Sequence, residues 1–359
     1  YLAQHPILLD ELLDTQNLYA APDFVAMRQS LMQRLKTAEG DVEQQMDNIR
    51  HFKHAHIFRF AAQDIAGNLP LETLSDYLSA LADLILSVSL QTIWPNIKGK
   101  HLATPKFAVI GYGKLGGKEL GYASDLDIIF LYDDESAEAG EVYARFAQRI
   151  NNWFNSLTSA GILYETDLQL RPDGNSGLLV SSVAAFKEYQ LNKAWAWEHQ
   201  AITRARFVAG DVQIGEAFDA IRLEVLKQPR DIVKLKNEVI SMREKMRVAN
   251  KNNSKLFDLK HDAGGVIDVE FLVQYLVLAN AQQYAQLTEN MGNIALLKTL
   301  ATLNIIDKKL AHKVVIAYRE YRKIQHALKL QGVTQTRVEI EKVEHYVSVV
   351  IKLWAQVFG

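Results

Sequence analysis

Between Gly111 and Asp134 the chain reads GYGKLGGKELGYASDLDIIFLYDD, a glycine-dense turn bracketed by two apolar runs. No other stretch restricts the fold as tightly. Residues 106–110 before the turn and 125–132 after it are rich in β-branched and aromatic side chains, which suit a pleated, buried surface. Both read as strands. Residues two apart in a strand share a face. Asp125 and Asp127 therefore project side by side, while Leu126 and Ile128 point into a core. Adjacent carboxylates repel each other unless a cation joins them. Mg²⁺ takes hard oxygen ligands and commonly keeps one or two carboxylates plus substrate phosphates. The pair is thus either a two-metal platform for phosphoryl or nucleotidyl transfer or a solvated strand end.

Four glycines, Gly111, Gly113, Gly116 and Gly117, follow the first strand closely. Glycine lets backbone N–H groups approach a phosphate and takes up positive φ. The turn is neither a Walker A loop nor a dinucleotide fingerprint. It contains no G-K-[ST]. G-Y-G-K-L-G does have the spacing G-x-G-x-x-G, but that pattern carries weight only where it opens the helix of a βαβ unit, and here a second strand starts at 125, soon after the turn.

A two-metal site usually needs a third carboxylate from a neighbouring strand. Residues 164–171, YETDLQLR, alternate with period two. Tyr164, Thr166, Leu168 and Leu170 fall on one face. Glu165, Asp167, Gln169 and Arg171 fall on the other. If this strand pairs with 125–132, Asp167 completes the cage and Arg171 sits two positions beyond Gln169, placed to contact a phosphate through two N–H groups. An exposed outer sheet face fits the same pattern.

These residues resemble those of a known family. The run G-Y-G-K-L-G-G-K-E-L-G-Y-A-S-D-L-D is similar to the nucleotidyltransferase signature of the glutamine synthetase adenylyltransferases, members of the DNA polymerase beta-like nucleotidyltransferase superfamily. The family spacing is a glycine, eleven residues, then D-x-D, which Gly113 and Asp125-Leu126-Asp127 satisfy. Residues 1–14, 163–172, 194–201, 242–247 and 264–271 resemble further family blocks, so the likeness runs along essentially the whole chain. A lysine, Lys114, follows Gly113 where the superfamily often has serine or glycine. Family enzymes have two homologous halves, one attaching AMP to a tyrosine of glutamine synthetase and one removing it by phosphorolysis. The wording here is closer to the attaching, C-terminal half. The chain opens on Tyr1 without an initiator methionine, and the expectation is an excised C-terminal fragment.

The resemblance implies an α+β, predominantly helical chain in which a small mixed-sheet nucleotidyltransferase domain is flanked by helices, with a C-terminal helical bundle. It implies ATP as substrate and two Mg²⁺ held by Asp125, Asp127 and Asp167. Gly111, Gly113, Gly116, Gly117 and Ser124 would line the triphosphate, with Lys114 and Arg171 as further contacts. Glutamine synthetase is the implied acceptor, and PII signalling protein and glutamine the implied regulators. The removing reaction, a nucleotide-binding regulator without catalysis, and a polymerase or nucleotide-adding RNA enzyme are the other readings. A binder alone would not need three aspartates.

Composition narrows these choices. The net charge of −2 lacks the basic excess that phosphate neutralisation on a nucleic acid requires. With no cysteine, disulfides and cysteine-based zinc sites are excluded, which is compatible with a cytoplasmic setting. No apolar run is expected to reach the ~20 residues that span a bilayer.

Periodicity sets three regions: 1–104 helical, 105–210 catalytic, and 211–359 helical. Leu74, Leu78, Leu81, Ile85 and Val88 make a core stripe, as do Val142, Phe146, Ile150 and Trp153. Lys98 to Pro105 reads as a linker. In the last region Ile232, Leu235, Val239, Met242 and Met246 form a stripe, with Arg243, Lys245 and Arg247 on solvated faces. Asp268 and Glu270 suit the first turns of a helix opened by Gly264-Gly265. Trp195 and Trp197 read as core anchors rather than base-stacking residues. Arg204 and Arg206 face phosphate or solvent. His51, His54 and His56 form one cluster of metal-ligand type, more consistent with a helix surface.

Overall fold

The computed structural model describes residues 18–359, which fall into two compact units. The family-like block at residues 1–14 lies outside the described residues.

In the first unit, which extends to Asn192 and includes 205–220, three helices lie between residues 24 and 93. These are α1 (Phe24–Thr37), α2 (Val42–Ile65) and α3 (Leu71–Ile93). Aspartates cap the first two: Asp23 accepts from the amides of Val25 and Ala26, and Asp41 from that of Gln44. β1 (Phe107–Gly111), the one-turn α4 (Gly113–Gly116) and β2 (Leu126–Tyr132) follow. Next in the chain come α5 (Ala139–Asn155), β3 (Thr166–Asp167), β4 (Val180–Ser182), α6 (Val183–Asn192), α7 (Ala196–Ile202), which belongs to the second unit, β5 (Arg206–Gly210) and α8 (Val212–Leu226), which begins in the first unit and ends in the second.

The sheet is mixed, in the order β3-β2-β1-β5. β1 runs antiparallel to both β2 and β5, while β3 and β4 run parallel to β2. Both short strands share one edge of β2, β3 at Leu126–Asp127 and β4 at Phe130–Tyr132. The β1–β2 register ends at Gly111↔Ile128, which delivers the glycine turn directly beside Asp127. The Tyr112 amide donates to the Asp127 carbonyl at 2.8 Å.

One apolar core joins the helices to the sheet. Leu31, Ile49, Phe52, Leu74, Leu78, Leu81 and Ile85 belong to the same cluster as Phe107, Val109, Leu126, Ile128, Phe130, Val142, Phe146 and Ile150. A boundary at 104 therefore separates nothing in the packing. α3 also differs from expectation in composition, being long and apolar enough to cross a membrane. Its apolar residues are spent on the core instead: Leu74, Leu81, Ala82, Ile85 and Leu86 are fully buried.

The second unit comprises 193–204 and 221–359. It contains α7, the later turns of α8, α9 (Ile232–Ala249), β6 (Phe257–Asp258), α10 (Val266–Asn280), α11 (Asn293–Thr302), α12 (Lys308–Leu330), β7 (Arg337–Val338) and α13 (Glu344–Phe358). α10 is buried almost all round, as its sequence demands, and packs against α7, α9, α11, α12 and α13.

The α9 surface reading needs one correction. Leu235 and Val239 are buried as expected, but Arg243 is also buried and pairs with Asp268 at 2.5 Å. Asp268 also accepts from the Gly264 amide at 2.6 Å. It thus serves as a buried counter-ion and closes the turn opening α10.

Candidate active site

Three carboxylates converge on the edge of the sheet. Asp125 is exposed just ahead of β2, Asp127 is half-buried within it, and Asp167 is half-buried on β3. Each offers an oxygen, and these oxygens all lie within 4.8 Å of one another. The parallel pairing places Asp127 opposite Asp167. No other group of three or more potential metal ligands occurs among the described residues. Hard oxygen donors gathered in this way suit a divalent cation, which would offset their mutual repulsion.

Gly113 provides the space. Its φ is +52°, a left-handed conformation that side chains with a Cβ rarely adopt. A Cβ there would stand 2.1 Å from Asp127 Oδ2. The bare backbone of the turn therefore sits directly against a carboxylate of the triad.

The remaining turn residues have local duties. A Cβ on Gly111 would meet Val208 at 2.7 Å, so this glycine permits packing of β1 on β5. The amides of Gly116 and Gly117 donate to the carbonyls of Tyr112 and Gly113. Ser124 accepts from the Gly121 amide through its hydroxyl at 2.9 Å and closes the turn before Asp125. Lys114 lies on α4, half-buried, immediately after Gly113.

The third strand is much shorter than its alternation predicts. Only Thr166 and Asp167 pair with β2: the Gln169 amide turns back to donate to the Asp167 carboxylate at 2.8 Å, and β4 takes the same edge from Phe130 onward. The chain then turns through Asp173, whose φ is +60°. Arg171 consequently folds onto its own loop. It donates to the carbonyls of Leu168 (2.8 Å), Asn175 (3.3 Å) and Gly177 (3.4 Å), and does not continue a strand face beside Asp167.

The sequence model of the family described as glutamate-ammonia ligase adenylyltransferase matches residues 1–221. The chain belongs to that family. A second model, described as GlnD PII-uridylyltransferase, matches residues 235–341. Curated relatives are called bifunctional glutamine synthetase adenylyltransferase/adenylyl-removing enzymes. One from Aromatoleum aromaticum is 56% identical over 359 residues, covering 100% of this chain and 38% of that protein. One from Chromobacterium violaceum is 53% identical over 358 residues, covering 100% of this chain and 40% of that protein. One from Neisseria meningitidis is 52% identical over 359 residues, with the same shares of 100% and 40%. The chain spans about two fifths of the length of these curated relatives.

Within this adenylyltransferase-family chain, several supporting residues escape a reading by motif. Asn155, at the end of α5, accepts from the Thr166 amide (3.1 Å) and donates to its hydroxyl (2.6 Å), directly beside Asp167. Arg206 Nη2 donates both to Asp83 on α3 (2.8 Å) and to the Leu115 carbonyl of the glycine turn (3.1 Å). Arg204 instead pairs with Glu270 at 3.4 Å. Both arginines are thus engaged inside their own units, and neither is a phosphate or solvent residue by geometry. Tyr122, between the turn and Asp125, donates to Asp64 on α2 at 2.8 Å. Only distant sequence partners reveal these roles, and no local spacing marks them.

Two other expectations change. Trp195 and Trp197 are 69% and 37% exposed, so neither is a core anchor. The histidines on α2 do not form a surface cluster. His51 is exposed, His54 is buried, and His56 packs its ring against Phe52 with centroids 4.4 Å apart. Burial, followed by the guanidinium groups of Arg59 and Arg34, pulls the His56 pKa down to about 4.

Proposed function

We propose that this chain transfers AMP from ATP, taken as its Mg²⁺ complex, to a tyrosine hydroxyl of glutamine synthetase, releasing pyrophosphate. The observation that carries this reading is the convergence of Asp125, Asp127 and Asp167 within 4.8 Å, beside a glycine that leaves Asp127 uncovered. Family membership and the names of the relatives support the chemistry and the acceptor.

Asp125, Asp127 and Asp167 are the residues to hold two Mg²⁺. When bound, the ions neutralise charge at the α-phosphate and favour loss of the acceptor proton. Gly113 and Lys114 line the phosphate side of the turn. Gly111, Gly116, Gly117 and Ser124 give the turn its shape, and Arg171 stiffens the arm that follows Asp167. A free phenol has a pKa near 10, so the acceptor arrives protonated, and Asp167 takes part in removing that proton. The tyrosine oxygen then bonds to the α-phosphorus as the bond to the β-phosphate oxygen breaks. In-line positioning and charge neutralisation account for the catalysis. PII signalling protein and glutamine enter as regulators of the longer protein, and the setting is cytoplasmic.

The removing reaction is a second reading, favoured by the double name of the relatives. It would use the same carboxylates, take orthophosphate and an adenylylated acceptor, and release ADP. Incubation with labelled ATP, Mg²⁺ and unmodified glutamine synthetase distinguishes the two. Label transfer that disappears in Asp125→Asn and Asp127→Asn supports attachment. Release of ADP from modified acceptor, without transfer, supports removal. Full activity in both variants would sink the site assignment.

A further inference from the structure

β3 joins the sheet through two residues, so strand pairing fixes little of the chain that leads to it. That chain is the loop after α5, and its carbonyls meet one face of α2. Arg50 Nε donates to Gly161 O at 2.7 Å, and its Nη2 donates to Trp153 O (3.0 Å) and Ser156 O (2.7 Å). His54 Nε2 lies 3.2 Å from Ala160 O. Asp47 accepts from the Ser159 hydroxyl at 2.6 Å. Lys53 Nζ donates to Leu163 O and stands 4.1 Å from the centre of the Tyr164 ring. Positions 47, 50 and 54 are three and four apart, and therefore lie along one side of the helix.

Lys53 is the unusual member. Arg50 saturates a bend that any tightly folded loop would need capped. Lys53 grips the chain just before Glu165, whose carbonyl accepts from the Leu126 amide and starts the pairing. It makes no ion pair with a carboxylate among the described residues, and burial followed by the nearby Arg50 guanidinium pulls its pKa down to about 7. An ammonium held without a counter-ion opposes folding, whereas an apolar side chain of similar length would not.

We infer that this face of α2 positions the third carboxylate, with Lys53 as the positioning residue that sets where the Asp167 strand begins. Lys53 acts through the chain it holds. It holds Leu163, and the short run through Tyr164, Glu165 and Thr166 transmits that placement to Asp167. The inference rests on the reading of Asp125, Asp127 and Asp167 as a cation site.

Binding of Mn²⁺ alone to the chain, followed by the electron paramagnetic resonance of the free ion, tests it, with thermal melting measured alongside. Lys53→Met keeps the length and loses the donor. Its Mn²⁺ affinity should fall about tenfold, the low end for groups that act behind metal ligands. Lys53→Arg keeps donor and charge and should restore most of the affinity, while Asp167→Asn sets the floor. A folded Lys53→Met with wild-type affinity overturns the inference. Equal loss in the Met and Arg variants also overturns it, since packing would then explain the effect. Should Lys53→Met fail to fold, Ser159→Ala loosens the same loop from its exposed side, and unchanged affinity there overturns the inference too. Mn²⁺ binding is read without ATP or acceptor. Absence of AMP transfer by the wild type would therefore sink the proposed function and leave this inference standing, whereas absence of Mn²⁺ binding would sink both.

Discussion

Asp268 in the helical unit and Asp127 in the sheet unit are both aspartates near the start of a regular element, in opposite surroundings. Asp268 is buried, and its two oxygens are taken by Arg243 Nε and the Gly264 amide. Asp127 is half-buried and aimed toward two more carboxylates, with a glycine cleared from its path. The first arrangement balances charge inside the chain and serves the fold. The second concentrates like charge at an accessible edge, a repulsion that the cation of the proposed function would offset. A carboxylate's neighbours, more than its burial, thus separate a structural aspartate from a site aspartate.

Substitution should separate them by signature. Arg243→Met strands Asp268 without its counter-ion, and urea unfolding should show a loss of about 3–5 kcal/mol. A loss near zero would remove the contrast. Asp127→Asn should behave in the reverse sense. AMP transfer should fall roughly 10²–10³-fold, the scale for losing one electrostatic stabiliser of a transition state, while the unfolding midpoint stays level or rises because a repulsion is relieved. A lowered midpoint would show that Asp127 is structural after all.

Gly113→Ala sharpens the comparison without altering any charge. The left-handed backbone alone costs roughly 1–2 kcal/mol with a Cβ present, and the Cβ displaces Asp127. Unfolding and Mn²⁺ titration should both register it, the second more strongly.

The smallest effect concerns acid. His56 has a folded pKa of about 4 against an ordinary 6.5. Between those values the unfolded chain binds a proton that the folded chain refuses, so stability falls as pH drops from 6.5 toward 4. His56→Phe should flatten that limb of a pH–stability curve, and an unchanged slope would assign the acid sensitivity to other groups.

Much of this was legible in the residues, and the failures have physical causes. Leu74 through Val88 repeat at helical spacing because one face of α3 must be buried. Asp125 and Asp127 flank a core leucine because a strand alternates. Such signals are local. Alternation through 164–171 reports sides, not partners, and cannot reveal that β4 already occupies the edge that a longer β3 would need. Arg243 reads as surface because it is charged, yet its partner is the distant Asp268. Trp195 and Trp197 read as core because they are large and apolar, although size does not bury a residue. Among the site residues, the aspartates and Gly113 could be read from the motif. The contacts of Asn155, Arg206 and Lys53 could not, since they are made with other elements of the chain.

The gap at Gly113 has a consequence for how such a chain can change over time. Every other encoded amino acid carries a Cβ, and the obstruction to Asp127 begins at that atom. The position therefore has no conservative neighbour, and a first mutational step in any direction meets the same wall. A lineage that lost this glycine would retain its fold and its three aspartates, and a sequence comparison that counted only the carboxylates would still score it as intact.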